Sequence, residues 1–288
     1  MRMCFSMYWI RDIDVLAGGK KFESLGDNAL EIEFDISFND KEEPDVSEVT
    51  IYNLSEDSIN EIKKQGYCIV NAGYREMGNK GCIVTGDIED VVTDWQGLDK
   101  VTKIKVSDGG KEWRKAKLYA TYGEGVKAST IMRDLCGVLG YEIVEISPKD
   151  DITYKLGKTI KGYCSENLKK LAKDTKSKMY INKKRITIRD ERKGDDIGFL
   201  LTAETGLVGN PTLNKDDSED KTDLRGDEKV KKPNTEERKS WKVTCLLNAK
   251  IETDSIIKIE SKTCSGTFRV VSGKHTREFN TELVVEEA

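Results

Sequence analysis

Residues 30–38 alternate without a break: Leu30, Ile32, Phe34, Ile36 and Phe38 are apolar, while Glu31, Glu33, Asp35 and Ser37 are polar. A period of two puts every apolar side chain on one face, so this stretch predicts a half-buried strand. Strands are likewise predicted over residues 48–54, 67–74, 81–93 and 100–107. Ser55 is placed to cap a short helix, with Glu56 and Asp57 in its first turn, Ile59 and Ile62 on one face and Gly66 at its end. Asp108-Gly109-Gly110 stops the region.

From Trp113 the texture changes. A strand over residues 117–122 leads through a glycine-containing turn to a helix over 127–139, where Ile131, Leu135 and Val138 recur at helical spacing and Gly140 ends the run. A strand over 141–146 follows. A second helix from Ser165 turns Leu168, Leu171 and Ala172 inward, and a hairpin of residues 179–181 and 186–188 turns at Asn182-Lys183-Lys184. The last region opens with a strand over 197–201 and resumes with strands over 241–247, 255–261, 266–272 and 281–286. Between Asn214 and Ser240 only Leu224 and Val230 are large and apolar. Such a stretch cannot bury enough surface to offset its ordering entropy, so residues 214–240 are expected to form a long mobile loop.

These elements imply an α+β chain that is mainly β, in three domains: residues 1–112, a small α+β domain over 113–195, and residues 196–288. The first and last regions echo one another. Val49-Thr50 before Asn53 parallels Val243-Thr244 before Asn248. The run from Gly81 to Gly86 parallels that from Gly266 to Gly273, and Thr102, Ile104 and Val106 parallel Thr281, Leu283 and Val285. An internal duplication would produce this pattern; so would chance agreement between alternating strands.

The 288 residues suffice for two or three domains with cores of their own. Charged residues make up 35% of the chain, yet the net charge is only −4 and both signs are interspersed, so there is no broad basic field of the kind a duplex binder uses. The apolar run at the N-terminus is too short for a signal sequence, and no segment approaches the roughly 20 apolar residues of a membrane helix. The expected place of synthesis and residence is the cytosol. Seven cysteines, none in a C-x-x-C pair, are expected to be reduced and to act as small hydrophobes rather than zinc ligands.

Candidate chemistry is sparse. His275 is the one histidine, so any Ser/His/Asp or Cys/His device would have to use it. No Gly-x-Ser-x-Gly elbow accompanies it, and a surface histidine in a turn is expected. Tyr122-Gly123-Glu124-Gly125-Val126-Lys127-Ala128 follows a strand, opens a helix and reads G-x-G-x-x-A, with Glu142 and Glu145 where a ribose-binding acid would fall. It stands alone, without further βαβ units, and Glu124 would set a carboxylate beside a pyrophosphate. A simple strand-to-helix turn is the expectation. Asp87, Glu89, Asp90 and Asp94 alternate with Ile88, Val91 and Val92 as on a solvated strand face rather than as a metal site or glycosidase pair. Asp216-Asp217-Ser218-Glu219-Asp220 lacks the glycine and terminal glutamate of a calcium loop. No catalytic, cofactor-binding or metal-binding residue is expected, and the sequence singles out no interface residue.

A whole-length pattern remains. Val49-Thr50-Ile51-Tyr52-Asn53-Leu54-Ser55 precedes a short helix and Val70-Asn71-Ala72-Gly73-Tyr74; Gly86-Asp87-Ile88 and Val106-Ser107-Asp108-Gly109-Gly110 follow. Gly162-Tyr163-Cys164-Ser165 leads into the helix of Leu168, and Thr205-Gly206-Leu207-Val208-Gly209-Asn210-Pro211 comes before Leu246-Leu247-Asn248-Ala249. In this order they resemble the hub proteins of contractile phage tails and phage-tail-like bacteriocins, the late control D and XkdQ-type family. The charged run after Pro211 departs from that pattern. The resemblance implies two tube-protein-like antiparallel β-barrel domains flanking a small α/β domain, and a non-enzymatic homotrimer without cofactors. It implies a ring that adapts a sixfold tail tube to a threefold spike. Its partners would be the tube protein, the central spike, and tape measure or baseplate wedge proteins, in the baseplate of a virion or tail-like particle assembled in the bacterial cytoplasm. The competing readings are a siphophage tail-tip protein of the same fold and a small nucleotide-binding enzyme.

Overall fold

The alternation of the first region becomes a sheet. The computed structural model describes residues 10–64, 66–76, 78–214 and 239–288. Cys4, Asp216-Asp217-Ser218-Glu219-Asp220 and nearly all of the charged run expected as a loop lie outside those residues. Strands β1 (Arg11–Ala17) and β2 (Lys20–Glu23) form a hairpin that the sequence pattern did not predict. Then come β3 (Ile32–Asn39), β4 (Val46–Tyr52), helix α1 (Glu56–Lys64), β5 (Tyr67–Tyr74), β6 (Gly81–Gln96) and β7 (Asp99–Ser107). In β3, Ile32, Phe34, Ile36 and Phe38 are buried, as their period requires. At α1 the Ser55 hydroxyl accepts the Ser58 amide at 3.3 Å, and Ile59 and Ile62 face the core.

The middle region holds α2 (Gly110–Lys115), β8 (Lys117–Tyr122), β9 (Val126–Lys127), α3 (Ala128–Leu139), β10 (Glu142–Ser147), β11 (Thr153–Tyr154), β12 (Lys158–Tyr163), α4 (Cys164–Asp174), β13 (Ser177–Asn182) and β14 (Arg185–Asp190). Ile131, Leu135, Leu168 and Leu171 of the two long helices share a core with Met179, Ile186 and Ile188 of the sheet β10-β14-β13. Gly140 ends α3 in the left-handed region at φ 74°, where a glycine carries no Cβ penalty. Two small ribbons stand apart from the main sheet: β8 paired with β12, and β9 with β11.

The last region contributes β15 (Asp195–Leu201), β16 (Leu207–Leu213), β17 (Ser240–Leu246), β18 (Ser255–Glu260), β19 (Ser265–His275) and β20 (Asn280–Glu287). Most of this sheet is antiparallel, as expected; β15 runs parallel to β18. First and last regions join in one 13-stranded sheet, in the order β16-β17-β20-β19-β3-β4-β7-β6-β5-β1-β2, with β18 on β19 and β15 on β18. Among the described residues this path is open and closes no barrel.

The order hides a repeat. Read from β3, the first half runs β3-β4-β7-β6-β5-β1, and read from β16 the last runs β16-β17-β20-β19-β18-β15, each strand matched to its counterpart in chain order. The registers agree too. Val49 lies opposite Ile104 and Ile51 opposite Thr102; Val243 lies opposite Leu283 and Cys245 opposite Thr281. β6 bulges between Ile88 and Asp90, and β19 bulges between Val270 and Ser272, against matching positions of β7 and β20. A bulge at one register position is a built feature rather than an accident of alternation. The halves differ in their outer strand, since β1 is antiparallel to β5 where β15 is parallel to β18. The echo of the closing strands therefore marks equivalent positions throughout, and Val49-Thr50 matches Val243-Thr244, although Asn53 falls at the place of Leu247 rather than Asn248. The third is out of register: Gly86, opposite Cys68, corresponds to Phe268, opposite Ile257, and not to Gly273.

Candidate assembly interface

The residues weighed as candidate chemistry in the sequence are not brought together in one site. His275, expected on the surface, is 1% exposed. It ends β19 inside the sheet, its Nδ1 2.9 Å from the Thr281 hydroxyl and its ring 5.0 Å from that of Phe38. Burial pushes its pKa down to about 3, which keeps the imidazole neutral. The glycine-rich turn joins β8 to β9 and α3, and β8 pairs antiparallel with β12 rather than entering a parallel nucleotide-binding sheet. The N-terminus of α3 is already occupied: Asp151 accepts the Ser129 amide at 3.0 Å and its hydroxyl at 2.9 Å, filling the place a phosphate would need. Glu145 is committed to Arg189 and Lys193, and Glu142 is exposed. Asp87 pairs with Lys184 and Glu89 with Arg114, while Asp90 and Asp94 are exposed on β6. Among the described residues no group of three or more histidine, cysteine or acidic side chains could hold a metal ion. Cys68, Cys136, Cys164, Cys245 and Cys264 are buried and Cys82 is half-buried.

What the fold does build is a junction between its repeats. The outer end of β19 pairs with the outer end of β3: Ser272 with Asn39, Gly273 with Phe38, Lys274 with Ser37 and His275 with Ile36. Lys274 adds an ion pair to Asp35 at 3.0 Å. Gly273 is required there, because a Cβ at this position would lie 2.5 Å from the Phe38 ring. Beyond β19, the turn into β20 drives Phe279 into the core of the other half. Phe279 is 1% exposed, sits 5.7 Å from the Phe34 ring and 5.2 Å from the Tyr74 ring, and takes the Tyr74 hydroxyl on its carbonyl at 3.0 Å. Leu247 and Ala249 join the same core, while Phe38 of the first half packs in the core of the last.

The repeat carries the same junction a second time, unmade. By register, residues 90–93 of β6 correspond to residues 272–275 of β19. β5 covers β6 only as far as Asp87, so beyond it this edge of β6 pairs with no described strand. Thr93 stands where His275 stands, and its hydroxyl meets that of Thr102 at 3.2 Å as His275 meets Thr281. The turn of this hairpin offers Leu98, 94% exposed, in place of the buried Phe279, with Trp95 66% exposed beside it and Val92 also exposed. The complementary side is β16, the counterpart of β3, at the far end of the sheet path; it exposes Val208 and Leu213. Exposed large apolar side chains on an uncovered strand edge mark a surface that is normally paired or covered.

The middle region clamps both halves through ions. Asp254, fully buried before β18, receives Arg189 at 2.9 Å, Arg269 at 2.7 Å and Lys178 at 2.5 Å. Arg189 also grips Asp195 with two bonds, of 2.8 and 2.7 Å, and Arg269 reaches Asp40 at 3.1 Å just after β3. At the tip of the β13–β14 hairpin, Lys183 donates from its amide to Asp108 and from its ammonium to the Cys82 carbonyl and to Glu252. Burial raises the Asp108 pKa to about 7, against the pull of that amide.

This architecture has counterparts. No protein-family model matches the chain, and no curated protein matches it in sequence. The 43 kDa tail protein of prophage MuSo2 from Shewanella oneidensis aligns at TM-score 0.63 and 12% identity, covering 96% of this chain and 98% of its own. The fold is that of phage tail proteins. A tail protein from Neisseria meningitidis MC58 aligns at TM-score 0.62 and 10% identity, covering 97% of each chain. The E. coli c3393 protein, a type VI secretion component described as similar to the T4 tail proteins gp27 and gp5, aligns at TM-score 0.55 and 8% identity over 90% of this chain and 74% of its own.

Proposed function

We propose that this chain is a non-enzymatic baseplate hub of a contractile phage tail or tail-like particle, and that three copies form a ring between a sixfold tube and a threefold spike. The observation that carries this reading is the junction present once within the chain and once without a partner. A contact between two different surfaces of one molecule propagates from copy to copy and closes when the rotation allows. Residues 90–93 of one copy would meet β16 of the next, repeating the β19–β3 pairing, and three chains would supply six similar sheet units curled as tube-like barrels. That unit division, with boundaries near residues 112 and 195, goes with the three separate clusters of buried side chains. The tail fold supports partners of the same kind of particle: a tube protein, a central spike, and tape measure or wedge proteins.

Native mass measurement and electron microscopy of the purified chain test the reading. A ring of three copies is expected. Trp95→Glu/Leu98→Glu charges the two exposed apolar groups at the turn of the open hairpin and is expected to leave a folded monomer. A monomer at all concentrations for the wild type, or a ring indifferent to Trp95→Glu/Leu98→Glu, would overturn the proposed pairing.

A further inference from the structure

The β8–β12 ribbon presents a second, chemically different surface. Its inner face, with Leu118, Tyr122 and Ile160, packs on the middle core. Its outer face carries three cross-strand pairs: Lys117 with Tyr163, Tyr119 with Lys161 and Thr121 with Thr159. The Lys117 ammonium stands 4.5 Å over the Tyr163 ring, and the two threonine hydroxyls meet at 3.2 Å. Tyr119 is 65% exposed, and the adjoining turn presents Leu156 at 94%. No acid lies among these six residues. Across residues 113–127 and 153–166 there are seven lysines and arginines against Glu124 and Glu166, in a chain whose net charge is −4.

The ribbon is also rigid and uncovered. Cys164 donates its amide to the Ala116 carbonyl, Asn167 ties down the carbonyls of Lys161 and Tyr163, and Gly157 closes the turn on Tyr154. Neither β8 nor β12 has a further strand beside it among the described residues. The backbone edge of β8 is left without a neighbouring strand, beside a face roughly 20 Å long whose side chains alternate cation, ring and hydroxyl.

We infer that this ribbon docks an extended, carboxylate-rich segment of a partner protein. A strand laid along the ribbon would take backbone hydrogen bonds from an open edge, set carboxylates against Lys117 and Lys161, and rest apolar groups on Tyr119 and Leu156. A nucleic acid strand could stack on the tyrosines, but it cannot continue a strand ladder along the backbone edge, and two face lysines neutralise few phosphates. The β8–β12 face and the β6 edge have no residue in common, so this inference and the ring proposal are tested separately.

Fluorescence anisotropy with labelled eight-residue peptides decides it, using the wild-type chain and its Lys117→Glu/Lys161→Glu variant. A peptide alternating glutamate and threonine is expected to bind, to weaken with added salt, and to lose roughly tenfold or more in affinity against the variant. The substitutions are at exposed strand positions, and an unchanged melting temperature and oligomeric mass would show the fold intact. Absence of binding, equal binding of a peptide with glutamine for glutamate, tighter binding of a dT12 oligonucleotide, or indifference to the charge reversal would each overturn it.

Discussion

His275 shows how one side chain can be misplaced by pattern and explained by burial. Its neighbours Lys274 and Thr276 are polar, which suggests a turn, but the ring closes the seam between the two halves. An imidazole whose folded pKa of about 3 lies below its ordinary 6.5 costs stability on acidification. The unfolded chain takes up a proton from about pH 6.5 downward that the native state refuses. Asp45 and Asp108, raised by burial to about 6 and about 7, act with the opposite sign, since the native state takes up their protons first as the pH falls. Comparing the wild type with His275→Thr, the residue the repeat itself uses at position 93, isolates the imidazole. Between pH 7 and pH 5 the wild type is expected to lose about 2 kcal/mol relative to the variant, measured by denaturant unfolding. Parallel pH profiles for the two proteins would contradict a buried neutral ring.

At the scale of elements, the hairpin of β13 and β14 acts as a clamp whose charged residues look like ordinary surface positions in sequence. Lys178, Arg189, Asp254 and Arg269 come from four separate places and meet with little exposure. A charge that loses its partner in such a place is left unsolvated, so Asp254→Asn, which tolerates the positive φ of 67° at this position, is expected to destabilise by about 3–5 kcal/mol. A loss below about 1 kcal/mol in denaturant titration would show that the clamp contributes little. Strands with clean alternation, such as β3 and β5, were legible from their residues. β1 was not, because Asp12 and Asp14 share its polar face with Lys80, which satisfies both from a distant position. β16 was not, because Pro211 breaks a strand pattern everywhere except at an edge or a bulge, and β16 is an edge with a bulge.

For the whole molecule, the junction within the chain predicts the protection of the one between chains. In amide hydrogen exchange, residues 272–275 are expected to exchange slowly in ring and monomer alike, since β3 covers them in both. Residues 90–93 are expected to become slow only in the ring. Equal exchange at residues 90–93 in the two states would place the contact elsewhere.

The sequence by itself determined the mainly β class, most of the strands and the long helices. Each of these follows from local periodicity or capping. It determined the repeat only in part, since echoes of alternation carry no register until strands are paired. The bulges, the plug of Phe279, the burial of His275 and the open edge of β6 were decided by the tertiary structure. Each depends on which distant strand lies alongside, and a single chain's alternation records which face is buried without recording its neighbour.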